Sequence, residues 1–276
     1  MSRFHTRVLA RNRRSWHPVS VIPDNASRSP QVPAADQTLR ILRHLATRPA
    51  PVAASAIARE LALPRSTVHH LLNTLADHGF VLHLREERRW ALGTAASELA
   101  GGFARQQPLA RLGRPLVAAL ADRLGESTHL GVLSGSDVVY IVEERAPRRP
   151  ALVTDVGVRL PAHLTATGRA MLAALPREQV RALYPNVSAF STRTGLGPGR
   201  VGELRELLRS IRAAGYASED GEITDGTRSV GAAVLDTAGW PMAAVAVTWS
   251  SDTGPSEADA ASAVRETATE LQRRLR

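Results

Sequence analysis

The chain has 276 residues, 43 % apolar and 22 % charged, enough for one large domain or two ordinary ones. Its net charge of +9 favours a polyanionic partner, and all 35 basic residues are Arg, which excludes lysine Schiff bases and a phosphate-loop lysine. With no Cys, no uncharged stretch of about 18 residues and 4 % aromatics, it lacks the means for disulfides, zinc–thiolate sites, membrane helices or a base-stacking platform.

Residues 1–35 set Arg3, Arg7, Arg11, Arg13, Arg14 and Arg28 against Asp24 alone, for a local net charge of +5. Residues 36–98 and 99–276 each add only +2. The leader holds Pro18, Pro23, Pro30 and Pro33 and shows no sustained apolar periodicity, so disorder is expected there. Two readings of it stay open: a solvated tail or mis-assigned start, and an arm that touches DNA phosphates. Arginines break its apolar runs, so it does not read as a secretory signal.

From Asp36, a candidate cap, Leu39, Ile41, Leu42 and Leu45 recur at helical spacing until Pro49. A second helix is expected to start near Ala53 or Ala54 and to present Ile57 and Leu61. Pro64 breaks it, and a third helix follows with Val68, Leu71, Leu72 and Leu75 on one stripe and Gly79 as its cap. Phe80, Leu82 and Leu84 then alternate with Val81 and His83. A charged tip from Arg85 to Arg89, including Arg88, leads into Trp90 to Gly93 as a returning strand. Helix, helix, tight turn, helix, hairpin is the order of a winged helix-turn-helix over residues 36–93. The polar face of the third helix carries Arg65, Ser66, Thr67, His69, His70 and Asn73. Hydroxyls and free N–H groups at its start suit phosphates, and the longer side chains suit base edges in a major groove.

The segment LALPRSTVHHLLNTLADHGF, Leu61 to Phe80, resembles the recognition segment of the IclR family of bacterial transcriptional regulators. Trp90 to Gly93 is similar to the end of that family's wing, and His70 stands where the family usually carries Arg.

Residues 94–107, Ala-rich after Thr94, are expected to form a linker helix, and Pro108 breaks the chain. Beyond it, Leu109 to Leu124 reads as an amphipathic helix. Thr128 to Leu133 and Asp137 to Val142 read as a hairpin, as do Val230 to Leu235 and Met242 to Thr248. Helices are expected over Gly168 to Leu175, Gly202 to Ala214 and Glu257 to Leu275. Interleaving of this kind gives an α+β domain, residues 108–276, with an antiparallel sheet and helices on its faces. Arg159 to Ala170 and Gly215 to Glu222 with Arg228 to Asp236 resemble two further stretches of the IclR family. In the first of them Arg169 occupies a position where Lys is usual.

The resemblance implies a GAF-like effector domain that also mediates oligomer contacts. It implies a pocket using the backbone at Ala166 and Thr167, an acid from a loop, Glu219, and a small polar residue, Ser229, with Leu152 and Thr227 as wall. Residues Leu164 to Gly168 read independently as a helix start, whose N–H groups can hold a carboxylate; the competing reading makes Thr167 a cap and the acids a solvated loop. Catalysis has little support: Ser134, Ser136, His129 and His163 form no recognisable triad, and the adjacent His69 and His70 point apart on a helix. No cofactor or metal is expected. The expectation is a cytoplasmic homodimer or tetramer that binds double-stranded operator DNA under control of a small acid; the alternative is a ligand-sensing protein-interaction module.

Overall fold

The computed structural model describes residues 32–99, 108–146 and 154–276. In the amino-terminal part, helix α1 spans Pro33–Ala46 and opens on proline, whose missing N–H costs nothing in a first turn. Asp36 is therefore not a cap: it lies inside the first turn and faces Arg40 at 3.9 Å. The helix takes in residues 33–35, which the charge pattern had grouped with the leader; residues 1–31 lie outside the described residues.

Strand β1 (Val52–Ala53) leads directly into α2 (Ala54–Glu60). The turn after α2 uses Ala62 at φ +53° and delivers Pro64, the residue preceding α3 (Arg65–Asp77). Ile41, Ile57, Val68 and Leu72 are fully buried between the three helices. Gly79, at φ +71°, turns the chain into β2 (Val81–Leu84), which pairs with β3 (Arg89–Leu92). The sheet order is β1-β3-β2, with Val52 opposite Trp90. The wing's apolar face differs from the alternation expected: Val81 is buried and Leu82 is 54 % exposed. The register explains this, because Val81, His83 and Trp90 share one face, where Val81 and Trp90 enter the core and His83 stacks on Trp90 at 4.3 Å, while Leu82 lies on the opposite face. Residues 94–99 are helical; 100–107, the rest of the expected linker helix, lie outside the described residues.

In the carboxy-terminal part, α4 (Pro108–Leu124) precedes a long antiparallel sheet. Its strands are β4 (Ser127–Ser134), β5 (Asp137–Glu144), β6 (Arg159–Pro161), β7 (Ala217–Asp220), β8 (Thr227–Leu235) and β9 (Pro241–Ser250). They lie in the order β6-β5-β4-β9-β8-β7. One face packs on α4 and on α8 (Glu257–Leu275) through Leu130, Val230, Val245, Val247, Val264 and Leu271. The other face carries α5 (Ala166–Ala174), α6 (Arg177–Leu183) and α7 (Val201–Ala214), packed through Val138, Tyr140, Met171, Leu204 and Leu208.

A backbone contact seats the start of α5 on the sheet. A Cβ at Gly231, on β8, would lie 2.9 Å from the carbonyl carbon of Ala166 and 3.1 Å from the nitrogen of Thr167. Both neighbours are backbone, so neither can rotate away. Gly231→Ala is expected to cost about 1–3 kcal/mol by overpacking. Thermal unfolding beside the wild type checks this, and an unchanged melting point would contradict the contact.

Candidate functional site

The first candidate surface is the outer face of α3. Arg65, Ser66, His69, His70 and Asn73 are exposed, and Thr67 is half-buried. Ser66, His70 and Asn73 lie on the side of the helix away from Val68, Leu72 and Leu75, which face the core, with Thr67 and His69 at its edges; Arg65, one heptad before Leu72, is exposed because it opens the helix. Ser66 does not cap the helix: the residue before α3 is Pro64, and no side chain caps it. The first intrahelical bond shown here runs from Val68 N–H to the Pro64 carbonyl, 3.0 Å. The preceding N–H groups thus sit at an open, positively polarised helix end. Arg88 lies in the turn of the wing at φ +53° and is also exposed. Trp90 anchors the wing in the core shared with the three helices, and His83 stacks on its ring.

The second candidate is a cavity of about 20 Å³ between the start of α5 and the sheet. It brings together five of the expected residues, Ala166, Thr167, Glu219, Thr227 and Ser229. Leu152, the sixth, lies outside the described residues. Glu219 is not on a loop: it occupies β7, opposite Ser229 on β8, because the acidic stretch Ser218–Asp220 pairs at the sheet edge. The next residue across the sheet is Thr248 on β9, whose hydroxyl lies 2.9 Å from that of Ser229. Glu219, Ser229 and Thr248 therefore form one polar row on the face under α5.

Helix α5 begins at Ala166, inside the Leu164–Gly168 start read from the sequence and two residues before the span Gly168 to Leu175. Its cap is Thr165 rather than Thr167, since the Thr165 hydroxyl accepts the Gly168 N–H at 3.0 Å. Thr167 is buried and its hydroxyl lies 3.2 Å from that of Tyr140. Glu219 is only 4 % exposed, and burial pushes its carboxyl above the ordinary range; the Ile223 N–H donated to it at 3.0 Å opposes that shift. A carboxyl held toward its neutral form can donate its proton to a bound carboxylate, which an ionised one would repel.

Sequence reasoning missed several residues of this wall: His129, Tyr140, Thr154, Thr165 and Thr248. Period-two alternation from Ser229 and Gly231 on β8 identifies their partners Thr248 and Ala246 on β9 only once the register is known. Arg169, at the position where Lys was noted as usual, is 2 % exposed and ties α5 to β7. Its guanidinium donates to the carbonyls of His163 (2.8 Å) and Ser218 (2.7 Å) and to Glu222 (2.7 Å). His163 is a packing residue, with Nε2 on the Ser191 carbonyl at 2.9 Å and its ring against Tyr184 and Phe190.

A winged helix-turn-helix with an exposed polar third helix, followed by an antiparallel-sheet domain enclosing a polar cavity, is the build of a DNA-binding regulator. The IclR helix-turn-helix domain matches residues 34–84, and the bacterial transcriptional regulator IclR C-terminal domain matches residues 102–273. The chain belongs to the IclR family of transcriptional regulators. It is 30 % identical over 242 residues to the transcriptional repressor IclR of Escherichia coli (strain K12), covering 83 % of this chain and 87 % of that one. The HTH-type transcriptional regulator BhcR of Paracoccus denitrificans is 32 % identical over 216 residues, covering 78 % and 76 %. The crystal structure of an IclR regulator from Alicyclobacillus acidocaldarius shares the fold, with a TM-score of 0.78 at 23 % identity, covering 88 % of this chain and 99 % of that one. An IclR homologue from Microbacterium hydrocarbonoxydans, solved in complex with 4-hydroxybenzoate, gives 0.73 at 24 % identity, covering 88 % and 98 %. Membership makes this chain a DNA-binding transcriptional regulator and not an enzyme. Among the described residues no helix is long and apolar enough to cross a membrane.

Proposed function

We propose that this regulator reads a double-stranded operator through α3 and senses a small carboxylic acid in the cavity beneath α5. Arg65, His69, His70 and Asn73 reach base edges; Ser66, Thr67 and the free N–H groups at the helix start hold phosphates, and Arg88 on the wing holds another. The division of labour is a DNA-binding domain over 36–93, a linker helix over 94–107 and an effector and oligomerisation domain over 108–276. A cytoplasmic homodimer or tetramer sets two recognition helices in successive major grooves of a pseudo-palindromic site.

The acid's carboxylate lies at the Ala166 and Thr167 N–H groups, facing Glu219 and Ser229, with Thr227 and Leu152 as walls. The observation that carries this reading is the convergence of a capped helix start, a buried acid and a hydroxyl pair on one cavity. At about 20 Å³ that cavity takes little more than a water-sized group, so an effector longer than its carboxyl displaces part of the wall. Thr154, Ile223 and Thr224 are lining residues on connecting segments rather than on strands or helices. Binding shifts the operator equilibrium only by its difference in affinity between the two arrangements of the oligomer.

Arg65→Ala tests the DNA face. If Arg65 reads a base, the loss is about 1–3 kcal/mol, with relaxed preference at one base pair. If it holds a phosphate, binding weakens on all sequences and the salt slope falls. Gel-shift titrations across a salt series separate the two, and unchanged binding at every salt concentration overturns the assignment.

A further inference from the structure

The cavity under α5 contains two polar groups that the effector reading has not used. His129, on β4, is 2 % exposed, and its Nδ1 has no hydrogen-bond partner among the described residues. Thr154 is 6 % exposed, and its hydroxyl is likewise without a partner among them. Both line the cavity alongside Ala166, Thr167 and Glu219. Leaving a polar group buried and unpaired costs on the order of 1–3 kcal/mol, so two in one small space call for a common explanation.

The neighbours of His129 cannot supply the missing bond. Its cross-strand partners are Ala246 on β9 and Glu143 on β5. The Glu143 carboxylate is engaged by Arg145 at 3.2 Å. The Tyr140 ring meets the imidazole edge to face at 4.9 Å, with its hydroxyl occupied at Thr167. Two other polar pairs in the cavity are already matched: Ser229 with Thr248, and Glu219 with the Ile223 N–H. The two other buried orphans among the described residues, His44 Nε2 and His163 Nδ1, belong to residues that do not line the cavity. Burial also holds His129 down to about 4, so the ring is neutral at pH 7 and offers one N–H and one lone pair.

We propose that His129 is a specificity-determining residue: with the Thr154 hydroxyl, it hydrogen-bonds a second polar group on the effector, in addition to the carboxylate held at the start of α5. The inference rests on the effector-site reading and narrows its ligand class from carboxylic acids to hydroxy and oxo acids. A hydroxyl suits the pair well, since it donates and accepts at once. A hydrocarbon acid would leave both groups unpaired, and a site built to bond a hydroxyl rejects the analogue that lacks it.

Calorimetric titration of the full-length protein with two matched pairs, propionate with lactate and benzoate with 4-hydroxybenzoate, tests this. In at least one pair the wild type is expected to bind the hydroxylated acid about tenfold or more tightly than its partner. His129→Phe keeps an aromatic ring against Tyr140 and removes both nitrogens; it should bind the two members of that pair alike. His129→Gln should restore part of the preference. Thr154→Val, a change outside the sheet, should lower the preference independently and covers the case in which the His129 variants fail to fold. Equal wild-type affinity within both pairs overturns the role of His129 while leaving the site reading intact, as does a preference that survives both His129→Phe and Thr154→Val. Failure of the wild type to bind any of the four acids overturns the effector-site reading itself, and this inference with it.

Discussion

Arg169→Ala is expected to destabilise the carboxy-terminal domain by about 3–5 kcal/mol, the range for removing one partner of a buried ion pair. The side chain is 2 % exposed, and its three donor nitrogens meet three separate acceptors on the loop before α5, on β7 and on the turn after β7. Truncation takes the ion-pair partner from the Glu222 carboxylate, 14 % exposed, leaving it the Asp220 N–H, and frees two carbonyls at once. For a domain of this size the melting point should fall by roughly 6–20 °C. Arg169→Lys should be milder, at about 1–2 kcal/mol, because an ammonium can meet Glu222 but cannot span three acceptors as a planar fork does. Since Ser218 adjoins Glu219, the same loss loosens the acid that faces the start of α5. Differential scanning calorimetry of both variants checks the ordering; equal and small effects would show that the guanidinium network contributes little.

The second large effect is acid sensitivity centred on His129. Its folded pKa is lowered to about 4 by burial, against an ordinary value of 6.5. Between those values the unfolded chain takes up a proton that the folded chain refuses. Stability from this residue is therefore complete above about pH 6.5 and is lost as pH falls toward 4, by on the order of 3 kcal/mol. Glu219 and Glu143, both raised chiefly by burial, act with the opposite sign. Their neutral forms favour the fold at low pH, and that advantage disappears as pH rises through their folded values. Comparing the wild type with His129→Gln isolates the histidine. Urea unfolding at pH 7 and near pH 4.5 should show the wild type losing on the order of 2–3 kcal/mol more than the variant. Parallel losses in the two proteins would contradict a neutral, buried ring.

Most of the long elements were legible because their patterns are long. Val68, Leu72 and Leu75 repeat over more than two turns of α3, and β8 and β9 are runs of nine and ten residues. Four short elements were not. Strand β1 has two residues and β6 three, too few for any alternation, and α6 is a seven-residue helix set between Pro176 and the pair Tyr184–Pro185. Strand β7 was masked by composition: Ser218, Glu219 and Asp220 read as a loop, and only pairing with β8 makes them a strand. The cavity shows the same limit. Ala166, Thr167, Glu219, Thr227 and Ser229 were named through the family resemblance, which identifies positions. His129 entered only as a possible general base, because its position beside them depends on the register of β4 against β9 and on the bulge after Leu130. The charge, too, needed partition. Most of the excess over neutrality sits in residues 1–35, so the DNA-binding conclusion rests on the helix order, the exposed face of α3 and family membership rather than on net charge.

The most direct test of the account is footprinting of the purified full-length protein on random genomic fragments, with and without a panel of small carboxylic acids. Protection of one pseudo-palindromic sequence is expected, with half-sites about one helical turn apart, and a shift in the protein concentration needed when an acid that fits the α5 cavity is present. Uniform protection independent of sequence would contradict sequence-specific operator binding. Specific protection that no acid alters would contradict control through that cavity.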